Sequence, residues 1–276
     1  MMSELIHPTA IIHPEAKIAP EVSIGPYCTV GPRVEIGSGT KLMSHVVVCG
    51  PTKMGQNNTI HPFARIGGEP QDLKFQGEEV RLEVGDNNTF RECVTINRGT
   101  GSGGGLTKIG NHNLFMAYSH AAHDDIIGNY NVIANSTQLA GHVEVGDYVV
   151  IGGACAIQQF VRLGDYSYIG GATSLIKDIP PYCIAYGNRG RVTGVNVIGL
   201  KRKGFEKEDI FRISEAQRTY FKQRMRPDEA LDKCSEIAKE NKSVKVFVDF
   251  IASSKVALHH VVILGMRNNS CPFARR

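Results

Sequence analysis

The sequence has no tryptophan, and aromatic residues make up only 7% of its 276 residues. Large rings supply the biggest buried areas per residue, so a thick globular core is not expected. The cysteines (Cys28, Cys49, Cys93, Cys155, Cys183, Cys234 and Cys271) form no C-x-x-C pair. That argues against a zinc ribbon or a disulfide scaffold and for a reduced, cytoplasmic chain. The opening MMSELIHPTA lacks the basic-then-apolar pattern of a secretory leader. No apolar run approaches the roughly 20 residues of a membrane-spanning helix.

Glycine is plentiful, at 30 residues, and 42% of the chain is hydrophobic. This suits a thin, repetitive structure with many tight turns. Charge is uneven: residues 1–200 carry 14 Lys/Arg and 17 Asp/Glu, and residues 201–276 carry 17 and 10. A basic end on a nearly neutral body implies an acidic partner or a solvated helical surface. No aromatic-basic recognition motif accompanies the charge, so nucleic acid is not expected.

A period of six organises the chain. Stepping from Ile6 by six meets only apolar residues as far as Ile66, again at Val84, Phe90 and Ile96, and again from Ile109 to Leu175. All 26 positions are apolar in a chain that is 42% apolar. An amphipathic helix repeats at 3.6, so the pattern is not helical. Short strands joined by turns fit it, one large side chain per face pointing inward. Three faces close an eighteen-residue triangular coil, and stacked coils form parallel ladders about 4.8 Å apart. Glycine often follows the inward residue, as in Ile24-Gly25 and Ile109-Gly110, where it is expected to supply the backbone freedom of a corner.

The expected organisation is a parallel β-helix over residues 1–190, interrupted by loops at about 67–83 and 97–108, with the period ending near Pro180-Pro181. Residues 191–276 read as a helical domain with a terminal tail. Ile210, Ile213, Ala216, Tyr220 and Phe221 form one apolar stripe. Leu231, Cys234, Ile237 and Ala238 form a second, after a start at Pro227. Val246, Phe247, Phe250 and Ile251 form a third. Each stripe reads as packing. His259 and His260 read as part of a frayed tail.

Ser119-His120-Ala121-Ala122-His123-Asp124 places two histidines and an acid in one turn. Adding eighteen aligns His123 with Gly141 and Gln159, and Asp124 with His142 and Phe160. One surface strip thus gathers a base, an acid to orient it and a glycine whose N–H a ligand can approach, which is the equipment for acyl transfer. His123 follows the inward Ala121 by two residues, so it should face a groove. Two other readings stay open: a zinc hydratase using His120, His123 and His142, and a non-catalytic scaffold.

The strings PQDLKF, HAAHD, LAGHVEVGD, QQFVRLG, DIPPY and GVNVIGLKRKGF resemble the acyl-[acyl-carrier-protein]–UDP-N-acetylglucosamine O-acyltransferases, hexapeptide-repeat enzymes of lipid A synthesis. The match runs from about Ile6 to Ile251. The resemblance implies a left-handed helix, a homotrimer with sites between subunits, and no cofactor or metal. It implies transfer of a long, 3-hydroxylated acyl chain from acyl-carrier protein to the 3-OH of UDP-N-acetylglucosamine. His123 would be the base, Asp124 its polarising acid and Gly141 the oxyanion donor. Asp72, Lys74, His120, His142 and Gln159 would contact substrate. Gly171 would line the acyl groove, and Asn196, Arg202 and Lys203 would handle nucleotide and phosphopantetheine. Gln158 stands where the family commonly has His, Ile198 where Glu is common, and the chain continues past the family's usual end after Ser254.

Overall fold

The computed structural model describes residues 5–223 and 225–254. His259 and His260, with the rest of the tail, lie outside them. Residues 11–195 form a left-handed parallel β-helix with three sheets of nine, eight and ten strands. The first sheet starts at Ile11–Ile12, the second at Lys17–Ile18 and the third at Ser23–Ile24. Of the 26 hexad positions, 23 are buried, and only Ile6, Ile12 and Ile18 at the open end are half-covered.

Neighbouring coils are offset by eighteen residues, as in Ile127 beside Val145. The offset is thirty where Leu82 pairs with Thr52 and twenty-five where Phe90 pairs with Phe115. Both extra lengths leave the helix at the first corner, between the first and second sheets. They follow the strands Arg65–Gly68 and Thr95–Asn97. The two expected loops are therefore insertions at one place, on the coils just before His123.

The corners correct the expected role of glycine. Among the described residues, all twenty non-glycine residues with positive φ stand three places after an inward side chain, including Tyr130, Asp124 and His142. That conformation costs a residue with a Cβ about 1 kcal/mol. Rings at these places stack on the next coil, as in His112–Tyr130–Tyr148–Tyr166 with centroids 4.6, 4.8 and 4.9 Å apart, which offsets the cost. The glycine after the inward residue serves close approach instead. A Cβ on Gly25 would lie 2.6 Å from the Met43 carbonyl oxygen.

The three outer faces differ. The second sheet shows Lys17, Glu35, Lys53, Glu83 and Lys108, then Ile126, Glu144 and Arg162. Signs alternate along this column except at Ile126. The later coils of the third sheet show Leu114, Val132, Val150, Tyr168 and Ile184, all half-buried.

The β-helix runs past Pro180-Pro181: Cys183–Tyr186 adds a parallel strand, and Arg191–Val195 folds back antiparallel. Among the described residues four helices follow: α1 (Val197–Arg202), α2 (Lys207–Lys222), α3 (Pro227–Ala238) and α4 (Lys242–Ala252). Helix α2 buries its expected stripe, and α3 starts at the expected proline. In α4 the phase differs. Val246 is exposed, while Val244, Phe247, Val248 and Ile251 are buried. Asn241 caps α4 by accepting the Val244 N–H at 2.9 Å, which fixes its start. Arg162 ties the end of α4 to the β-helix through the Phe250 carbonyl at 3.2 Å and Asp178 at 3.0 Å.

Candidate active site at the first corner

His123 and Asp124 leave the strand His120–Ala121 into the first corner. The eighteen-residue columns form as the spacing implies. The His142 N–H donates to the His123 carbonyl at 3.0 Å, and the Phe160 N–H to the Gly141 carbonyl at 3.3 Å. His142 stacks on Phe160 with centroids 4.5 Å apart.

His123 Nδ1 lies 2.8 Å from Asp124 Oδ2. His142 Nε2 lies 3.7 Å from the same oxygen, and the two imidazoles meet edge to face. The His123 ring covers Gly141 so closely that a Cβ there would stand 2.5 Å from its Cε1. Neither His123 Nε2 nor the Gly141 N–H has a hydrogen-bond partner among the described residues. An open acceptor thus lies beside an open donor, with a carboxylate on the far side of the ring. The expected open groove needs correction, since His123 is only 5% exposed. Its own chain covers it, through Gly141, His142 and the second insertion. A cavity of about 410 Å³ opens alongside, lined by Asp124, His142, Ile126, Phe160, Glu144 and Arg162 among others.

Burial lowers the pKa of His120 and of His142; the charges of Asp124 and, more weakly, Asp72 pull His142 back up. Asp72 lies in the first insertion, where its carboxylate accepts the Lys74 N–H at 2.9 Å. Leu73 beside it projects fully into solvent, and Lys74 is exposed. His120 Nδ1 is held by Thr95 Oγ1 at 2.7 Å. A three-histidine zinc site would need His120, His123 and His142 to converge. The structure instead groups His123 and His142 with Asp124, their donor atoms within 4.8 Å of one another.

The other expected residues are spread out. Gln159 is exposed above Gly141. Gly171 lies on the third corner, where a Cβ would meet nothing closer than the Gly153 oxygen at 3.4 Å. Asn196 caps α1 through Gly199 and donates to the Tyr166 carbonyl at 2.9 Å, and Lys203 lies over the Tyr148 ring, both at the second corner. Arg202 and Ile198 are exposed on α1. One chain thus places these residues on three different corners.

Two partners of Asp124 escaped the sequence reading. Thr100 donates to it from its N–H at 2.9 Å and from Oγ1 at 2.6 Å. Thr107 Oγ1 accepts the Asp124 N–H at 2.8 Å. Asp125, fully buried, was also unmarked. Its Oδ1 accepts the Val143 N–H at 2.8 Å, its Oδ2 has no partner, and burial pushes its pKa well above the usual carboxyl range.

Comparison with known proteins bears on the family of the chain. Residues 178–259 match the family model for UDP-N-acetylglucosamine O-acyltransferase domain 2, and residues 33–68 match the bacterial transferase hexapeptide. LpxA from Acinetobacter baumannii is 47% identical over 92% of this chain and 99% of its own, with a TM-score of 0.90. The chain belongs to the UDP-N-acetylglucosamine O-acyltransferase family. The Moraxella catarrhalis UDP-N-acetylglucosamine O-acyltransferase is 44% identical over 92% and 99% of the two chains, TM-score 0.90. The Francisella novicida UDP-N-acetylglucosamine acyltransferase is 38% identical over 92% and 93%, TM-score 0.89.

Proposed function

We propose that this protein transfers a long, 3-hydroxylated fatty acyl group from acyl-carrier protein to the 3-OH of UDP-N-acetylglucosamine, opening lipid A synthesis. The observation that carries the reading is the free Nε2 of His123 beside the free N–H of Gly141, in a chain of this family. His123 Nε2 removes the proton of the sugar hydroxyl, while Asp124 on Nδ1 stabilises the imidazolium that forms. The alkoxide attacks the thioester carbonyl, and the Gly141 N–H donates to the tetrahedral oxyanion. Collapse breaks the C–S bond, and the carrier thiolate takes the proton from His123. No step needs a metal or redox cofactor.

The working enzyme in this reading is a homotrimer. Asp72, Gly171 and Lys203 occupy different corners of one chain, so a site using all of them needs adjacent subunits. The half-buried apolar column from Leu114 to Ile184 suits contact with a second copy, whereas the charged second sheet suits water. Lys201, Arg202 and Lys203 on the basic helical end suit an acidic carrier. Gly171 leaves room for a long acyl chain. No helix of the described residues is long and apolar enough to cross a membrane, which fits a cytoplasmic enzyme meeting soluble substrates.

The test is mass spectrometry of products formed from UDP-N-acetylglucosamine and a mixed pool of acyl-carrier thioesters. One long 3-hydroxyacyl ester is expected. A chain with no turnover would be the non-catalytic scaffold instead, and acylation at nitrogen would reject the 3-OH assignment.

A further inference from the structure

We propose that Thr100 is a positioning residue for this reaction, through which the glycine-rich insertion at 98–105 holds the Asp124 carboxylate against His123. The inference rests on the base assignment above. The Asp124 side chain is only 2% exposed. A buried carboxylate needs donors to stay ionised and to keep one orientation. Thr100 supplies two of them, its N–H to Oδ1 and its hydroxyl to Oδ2. Thr107 fixes the backbone at the same residue.

The loop's glycines serve this grip. A Cβ on Gly103 would overlap the carboxylate, and one on Gly99 would strike the loop's own backbone at Leu106 N, 2.3 Å away, before reaching Asp124 Oδ1 at 2.8 Å. The Gly103 N–H also donates to Thr100 Oγ1 at 3.1 Å, which leaves the hydroxyl proton free to point at Asp124. The loop is pinned from outside by Glu78, whose Oε1 accepts the Gly101 N–H at 2.9 Å. Glu78 belongs to the insertion that carries Asp72, so the two insertions are tied one residue from Thr100.

Thr100 Oγ1 and His123 Nδ1 converge on one oxygen, Oδ2. Removing the hydroxyl gives the imidazole an undivided share of that oxygen's charge and also frees the carboxylate to turn. The imidazolium is then held more strongly, so the base is lost to protonation at higher pH. Besides Asp124, the titratable groups near His123 are His142 and His120, and neither of them touches Thr100.

The experiment compares Thr100→Val, Thr100→Ser and His123→Ala by steady-state kinetics across pH. Thr100→Val is expected to lower kcat about tenfold, the low end for a mispositioned catalytic group. KM for the sugar nucleotide should stay within about twofold, and the acid limb of the pH–rate profile should move up by about half a pH unit. Thr100→Ser keeps the hydroxyl and should restore both. If Thr100→Val does not fold, Thr100→Ala removes the same donor with less bulk and must show the same shift. An unmoved acid limb, or a Ser variant as impaired as Val, overturns the assignment. An active His123→Ala would overturn the base reading itself; an inactive one beside an unaffected Thr100→Val would sink only the role of Thr100.

Discussion

The first and second corners of the β-helix share one hexad geometry and differ in what stands two places after the inward side chain. At the second corner that place holds Asn111, Asn129, Asp147 and Asp165. Each accepts the backbone N–H of the coil before, as in Asn129 N–H to Asp147 at 2.7 Å. At the first corner the same column holds His123, Gly141 and Gln159, and the Gly141 N–H is left unclaimed. The second corner staples each coil to the next from Gln56 to Asp165. The first corner withholds these staples: the N–H groups of His123, Gly141 and Gln159 all lack an acceptor among the described residues, and the one at Gly141, under the His123 ring, is placed for an oxyanion. A repetitive fold can thus produce a site by omitting a repeating bond rather than by adding an unusual one.

The largest test of that contrast is at the base. His123→Ala should cut kcat by about 10²–10⁴-fold, the usual worth of a general base. Retention of a tenth of the parent kcat at saturating substrate would make His142 the candidate instead. The next test fills the missing side chain. In Gly141→Ala the new Cβ displaces the His123 ring, and a shift near 1 Å should lower kcat about 10²-fold with little change in melting. A fully active alanine variant would mean that the ring and the glycine do not act together.

The same operation at the second corner should behave in the opposite way. Asn129→Ala removes the acceptor for the Asn111 N–H and should cost about 1 kcal/mol in denaturant unfolding while leaving kcat unchanged. Loss of activity without loss of stability would erase the division of labour.

The smallest effect belongs to Asp125, which brings a carboxyl into the core of the first corner. Burial raises its folded pKa above the usual 3.8. The unfolded chain ionises freely above that pH and the folded one does not, so this residue's contribution to stability is fullest below the usual value and falls as pH rises. Asp125→Asn should therefore stabilise the protein by about 1 kcal/mol near neutral pH, with the gain vanishing in acid. Thermal melts across pH would show it, and a gain independent of pH would place the effect elsewhere.

The period of six made the coil legible because the interior accepts one large side chain per face, and Ile127 must lie under Val145 whatever the corners do. The same eighteen-residue step brought His123 beside Gly141 and Asp124 beside His142. It could not reach Thr100, because the insertion lengthens the step to twenty-five. An arithmetic built on eighteen has no place for that threonine. The positive-φ residues were equally hidden, since Tyr130, Asp124 and Ala154 share no chemistry, only a position. The enclosure of His123 depends on the insertion's path and on a ring lying over a missing Cβ, neither of which a repeat encodes.

The alternating column on the second sheet constrains how this chain can change its length. Lys17, Glu35, Lys53, Glu83 and Lys108 each face a neighbour of opposite sign, and only Lys17–Glu35 is a close pair, at 2.6 Å. Deleting the coil of Lys53 would set Glu35 against Glu83, and duplicating it would set lysine against lysine. Like charges directly opposite cost a few tenths of a kcal/mol to about 1. Removing or adding two coils restores the order. The column thus acts as a parity check on the solenoid, favouring growth and shrinkage by two coils at a time.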